Sequence, residues 1–238
     1  MELEGLTGRV YKITDWFMLI VVTNVLWFLF NLPIAYLAFM LLVVDSTRDM
    51  IAFSIYIMVL LPVFFFPATT AMFAVLRNRI MFPNDDRGIF TYFLKSYKAN
   101  YIRSFLGGVL FTVLWTVWIV DYFFFVNRIS ELFLYLFLFI GFLLIVMTIH
   151  FFSVTVHMHS KLLEAVKNAV IITIANPLLT LIIGIVTIVV IYISFQITTF
   201  FIPFFLGSFI AYIAFNRFYH FVNKMMDDVI IQPNEDNH

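Results

Sequence analysis

The sequence predicts an all-α membrane protein: a six-transmembrane-helix bundle with both termini cytoplasmic and an interfacial amphipathic helix between helices 2 and 3. Three observations lead there. Hydrophobic residues make up 63% of the 238-residue chain and charged residues 12%, against roughly 25% charged in soluble domains. The apolar residues come in uncharged blocks of 17 or more, the pattern of membrane spans. Lys and Arg then fall almost entirely on one side of those blocks.

Six spans emerge in order, at about 16–44, 51–76, 103–125, 132–156, 169–195 and 198–222, forming a single integral membrane domain over 1–238. Each is long enough, because about 20 helical residues cross roughly 30 Å of hydrocarbon. The first block is 29 residues long, against roughly 7–15 for a cleaved signal, and it ends in "DSTRDM" without a small-x-small site. It is read as a retained anchor. Only "FQITTF" separates the last two blocks. Joined, they would reach roughly 80 Å, so two helices and a tight outer turn are expected.

With these spans, Arg9, Lys12, Arg77, Arg79, Arg87, Lys95, Lys98, Arg103, Lys161, Lys167, Arg217 and Lys224 share one side, and Arg48 and Arg128 the other. The positive-inside rule puts the first group in the cytoplasm. The bacterial cytoplasmic membrane is the expected location.

Residues 77–102 form the one long connection. After a turn at Pro83 to Gly88, Phe90, Phe93, Leu94, Tyr97 and Tyr101 recur at helical spacing, with Arg87, Thr91, Lys95 and Lys98 on much of the opposite face. A basic amphipathic helix at the cytoplasmic interface is expected, tucked under the bundle or docking a partner. Arg77, Arg79, Lys95 and Lys98 are the candidate contacts to a partner or to anionic lipid. No internal repeat is evident.

The second span is interrupted by "PVFFFPATTAMFAVLRNR". Pro67 cannot donate to the Val63 carbonyl, and Pro62 raises the same problem earlier, so a kink is expected. Threonine hydroxyls, water or a neighbouring helix must satisfy the freed carbonyls. Ala68, Ala71 and Ala74 fall at i, i+3 and i+6, a small row that permits close helix approach, and Thr69 and Thr70 can bond within or between helices. Gly207 and Ala211, with Ser208 and Ala214, make a comparable row in the last span. A kinked, tightly packed central helix is the reading, with a substrate-lining role as the alternative.

The span cores contain no Asp, Glu, Lys or Arg, which argues against proton relays, ion-coupled sites and voltage sensing. Asp121 falls near the outer interface, beside Tyr122 and Phe123. His150, His157 and His159 are the one histidine cluster. His150 and His157 lie two turns apart, beyond the usual i, i+4 metal pair, so interfacial histidines are expected and no metal. The chain has no cysteine and no nucleotide-binding or hydrolase motif. No cofactor and no enzymatic activity are expected, and the zero net charge points to no nucleic-acid partner.

Five segments, "NVLWFLFNLPI", "PATTAMFAVLR", "YKANYIRSFLGG", "AVKNAVIITIANPL" and "GSFIAYIAFNRF", together resemble the YesL-like family of small bacterial membrane proteins. The resemblance covers nearly the whole chain. It implies an accessory role in sugar uptake beside carbohydrate ABC importers, and it carries over no catalytic residue. Two functions are therefore weighed. The first is a non-enzymatic accessory subunit bound to the membrane subunits of a carbohydrate ABC importer. The second is a stand-alone transporter or channel for a neutral solute.

Overall fold

A computed structural model describes residues 2–83, 85, 87–158, 161–196 and 198–231. Among these residues the chain is helical throughout, with no strand. Five helical stretches are long and apolar enough to cross a bilayer: Ile13–Phe30, Thr47–Met81, Ile89–Val126, Phe133–His157 and Pro177–Gln196. The chain is a multi-pass helical membrane protein.

The expected first span, 16–44, is two helices rather than one. α1 (Glu2–Phe30) stops before Asn31, and α2 (Leu32–Val43) begins with Pro33 in its first turn. Pro33 has no N–H for the Leu29 carbonyl, and its fixed φ suits a helix start. Asn31 turns its Nδ2 back onto the Trp27 carbonyl at 2.8 Å. α2, about 18 Å long, is too short to cross alone and packs on α3 (Thr47–Leu60).

The second span keeps its helical path through both prolines. α3 widens into a π turn at Leu61–Phe65, where the Phe66 N–H reaches back five residues to the Leu61 carbonyl, and continues as α4 (Phe66–Met81). A π turn absorbs a proline by moving the hydrogen-bond register one residue.

The amphipathic stretch and the third span are one continuous helix, α5 (Ile89–Arg128), 40 residues long. Nothing from Ile89 to Leu106 is Gly or Pro, so the helix has no reason to stop between them. Its first part is also built into the bundle. Phe93 is fully buried, and Phe30 packs on Phe93 and Tyr97 with ring centroids 5.3 Å and 4.7 Å away. Lys95 and Lys98 remain exposed on the other side.

α6 (Phe133–His157) closely follows the expected fourth span. The expected fifth, 169–195, is broken. α7 (Leu162–Ala175) ends before Asn176, and Pro177 opens α8 (Pro177–Gln196). Asn176 Oδ1 accepts the Leu179 N–H at 3.1 Å, an N-cap that fixes the break there. The last segment begins with a second π turn, Ile202–Leu206, and runs on as α9 (Gly207–Ile231), well past the expected end at 222.

α4 is the hub. Every residue from Phe66 through Leu76 is buried, and α5, α9, α6 and α1 pack around it. A helix buried on all faces can be apolar or small all round, as this one is. Phe66, Phe111, Phe151 and Phe152 interlock beside it, Phe66 lying 5.4 Å from Phe152 and Phe111 5.0 Å from Phe151. The outward positions carry Leu42, Leu132, Ile174 and Leu178, which suits a surface facing lipid.

Candidate functional site

The proline patch is the centre of a polar chain inside the bundle. Trp27 Nε1 donates to Thr69 Oγ1 at 2.9 Å. Ser104 Oγ donates to Thr70 Oγ1 at 2.8 Å, and Thr70 donates to the Phe66 carbonyl at 2.9 Å. The threonines thus tie α4 to α1 and α5, while the hydroxyl reaches the Phe66 carbonyl rather than that of Val63. Pro67, Ala68, Ala71 and Ala74 are buried with them. Trp27 and Ser104 supply the partners of the two threonines, while Asn24 of α1 bonds the Ile202 carbonyl and the Ser208 N–H. Asn24 opens "NVLWFLFNLPI", where an Asn entering an apolar run was the available signal.

On α9, Ala211 and Ser208 are fully buried and Gly207 is half-buried. A Cβ on Gly207 would meet Met72 Sδ at 3.2 Å and Asn24 Oδ1 at 3.3 Å. α9 therefore sits against α1 and α4 at backbone distance, which only small side chains allow.

Two cavities lie beside this core. One, of about 310 Å³, is lined by Trp27, Thr69, Met72, Phe152, Thr187 and Gly207, among others. Its neighbour, of about 280 Å³, is lined by Met58, Leu61, Phe66, Thr112, Thr116 and Ile119. Phe65, Trp115 and Thr148 line both, so Phe65 of the first π turn stands in the shared wall. The lining is apolar with hydroxyls set into it, and most of these are already engaged. Trp115 Nε1 donates to Thr148 Oγ1 at 3.3 Å, and Thr148 donates to the Leu144 carbonyl at 2.7 Å. Thr187 and Thr116 each bond a carbonyl four residues back, both at 2.7 Å. The Thr112 hydroxyl has no partner among the described residues. Such a space accepts apolar matter. It offers a polyol little in exchange for water.

The histidines lie against α9. The Phe218 ring stands 6.5 Å from His150 and 5.6 Å from His157, a phenyl where a shared metal would need open space. Among the described residues no three His, Cys, Asp or Glu side chains group to hold an ion. His150 is fully buried and His157 half-buried. His159 lies outside the described residues. Asp121 is half-buried on α5, beside Tyr122, which stacks on Trp118 at 5.8 Å.

The four basic candidates separate by environment. Arg79 is ion-paired with Asp15 of α1. Arg77, at the end of the buried α4 row, is half-buried, and Lys95 and Lys98 project outward. In the turn between α4 and α5, Asp85 Oδ2 accepts from Asn78 Nδ2 at 2.7 Å and from Arg87 Nε at 2.6 Å. Arg87 also donates to Asn78 Oδ1 at 2.9 Å. These hydrogen bonds hold the Asp85 carboxyl well below the usual carboxylate range, Arg87 first and Asn78 second.

Residues 20–122 match the family described as "Protein of unknown function, DUF624", which is the YesL-like family. The match runs from within α1 through most of α5 and contains three of the five segments quoted above. No curated protein and no solved structure matches the chain.

Proposed function

We propose that the protein is a non-enzymatic accessory subunit of the bacterial cytoplasmic membrane that associates with a carbohydrate ABC importer and supports sugar uptake. In this reading the second π turn and α9 make the sixth crossing. Both termini and the connection between α4 and α5 then face the cytoplasm, following the Lys and Arg distribution. The first part of α5 continues its span to the cytoplasmic end of the bundle, with Lys95 and Lys98 turned outward.

The observation that carries this reading is the pairing inside the bundle. The indoles of Trp27 and Trp115 and the hydroxyls of Thr69, Thr148 and Thr187 bond to one another or to helix carbonyls. A sugar entering the cavity would trade hydrated hydroxyls for a lining with few groups to meet them, at about 1–3 kcal/mol for each one left unmatched. This favours a protein that acts through its surfaces. The association with an importer rests on the family resemblance.

The two adjoining cavities favour a second reading, a stand-alone transporter or channel for a neutral solute. Proteoliposomes separate the readings. The purified protein alone is expected to pass neither labelled mono- nor disaccharides above the leak of empty liposomes. Saturable sugar flux would overturn the accessory reading.

A further inference from the structure

We propose that the cavity between α3 and α5 binds the hydrocarbon chain of a membrane lipid. It arises from the way the two helices meet. Gly108 lets α5 touch the first π turn at backbone distance, where a Cβ would stand 2.9 Å from Pro62 Cα. One and two turns further along α5, Thr112 and Thr116 stand across from Leu61 and Met58, and a cavity of about 280 Å³ opens between the two sides. Phe66, which is buried, and Thr148 of α6 line its inner side. Met58 reaches across the gap, its Sδ 3.5 Å from the Thr116 hydroxyl, and a side chain this flexible yields readily to a guest.

The wall of the cavity is almost entirely carbon. Thr116 and Thr148 spend their hydroxyls on the Thr112 and Leu144 carbonyls, both at 2.7 Å. The Trp115 Nε1 donates to Thr148, and the Thr112 oxygen is sealed off. Water needs polar partners to stay in such a space, and an apolar cavity of about 150 Å³ stays dry and takes up benzene instead. A polar guest would leave its hydrogen bonds unmade here, whereas a hydrocarbon chain has none to lose. The surroundings decide which apolar guest arrives. Ile55 and Val59 of α3 and Val113, Val117 and Val120 of α5 are exposed, so both helices that frame the cavity also face the bilayer. Ile119 and Thr112 precede Arg128, the last residue of α5, by about 14 and 24 Å at roughly 1.5 Å per residue. In a hydrocarbon layer roughly 30 Å thick, that is the level of lipid chains and of no headgroup.

The test uses the full-length protein in phosphatidylcholine liposomes that include a phosphatidylcholine with a diazirine near the end of one acyl chain. After irradiation, mass spectrometry locates the adducts. Exposed Val113 and Val117 report the surrounding lipid, and buried Phe66, out of its reach, reports the cavity. The wild type is expected to carry adducts at all three. I119W, which puts a larger ring into the cavity wall, is expected to lower the Phe66 adduct roughly tenfold and to leave the other two in place. M58W fills the same space from α3, carries the same expectation, and serves if I119W does not fold. V120F, on the exposed side of α5, is expected to label as the wild type does. The proposal is overturned if the wild type carries no adduct at Phe66, or if the folded cavity variant carries as much there as the wild type. Loss of adducts at Phe66, Val113 and Val117 together would mean that a second copy of the chain covers the mouth, and overturns it as well.

Discussion

Asn24 and Ser208, 184 residues apart, meet across the second π turn: the Asn24 Oδ1 accepts the Ser208 backbone N–H at 2.9 Å. The same side chain donates from Nδ2 to the Ile202 carbonyl, also at 2.9 Å. One fully buried amide thus serves a donor and an acceptor that the widened turn leaves without ordinary helical partners. Inside a bilayer no water is there to replace it.

Replacing Asn24 with Leu is therefore expected to orphan both groups, at about 1–3 kcal/mol each. Thermal unfolding in detergent reads the loss. Asn31→Ala removes a bond to the Trp27 carbonyl four residues back in the same chain segment and is expected to cost clearly less. Equal losses for the two variants would deny Asn24 its bridging role.

Gly108 lies where α5 crosses the first π turn. A Cβ there would come within 2.9 Å of Pro62 Cα and 2.8 Å of the Phe66 ring, and the Pro62 backbone cannot swing aside. Gly108→Ala is expected to destabilise by about 1–3 kcal/mol, as overpacking does. Ala71→Leu, at a fully buried position, is expected to cost a similar amount. Gly88→Ala has its nearest contact at 4.0 Å and is expected to leave the melting curve in place.

The turn between α4 and α5 carries a pH signature. Its carboxylate, Asp85, is held charged by Arg87 and Asn78, so its folded value lies below its unfolded value of roughly 3.9. A depressed carboxylate stabilises above the unfolded value and loses that contribution only as pH falls through the folded one. Hydrogen exchange at Asp85 and Arg87 is expected to stay protected from pH 7 down to about 4, and to open in Asp85→Asn at pH 7. Loss of protection between pH 6 and 5 in the wild type would contradict this assignment.

Much of the helical architecture is legible in the apolar blocks, because a span must be long and uncharged whatever surrounds it. The breaks are less legible. Pro33 and Pro177 each sit just after an asparagine break, at Asn31 and Asn176, a start signal that a window of hydropathy averages away. The basic residues of α5 suggested a separate surface helix. A helix is ended by Gly, Pro or a cap, and positive charge alone does none of this. The first π turn reads only as a kink, and the second, at Pro203, gave no expectation. Both begin on an aliphatic-Pro pair, and each is followed by a small row ending in arginine: Ala68, Ala71, Ala74, Arg77 and Ser208, Ala211, Ala214, Arg217. Between the prolines and these rows the spacing differs by one residue, which hides the likeness from a direct comparison. The cavities depend on contacts between distant segments, and no local pattern reports those.

Orientation is open to a direct check, since the chain has no native cysteine. Single cysteines at Ser46, Ser130 and Thr198 are expected to react with an impermeant maleimide in intact cells. Cysteines at Gly88 and Lys161 are expected to react only after the membrane is opened. External labelling at Gly88 would reverse the orientation.

The accessory role is tested most directly by purification from native membranes in mild detergent, with the affinity-tagged protein at its chromosomal level. Quantitative mass spectrometry is expected to find the membrane subunits of one carbohydrate ABC importer in near-equal amount, above an untagged control. Recovery of the protein without any importer subunit, in a detergent that keeps the importer itself assembled, would contradict the account.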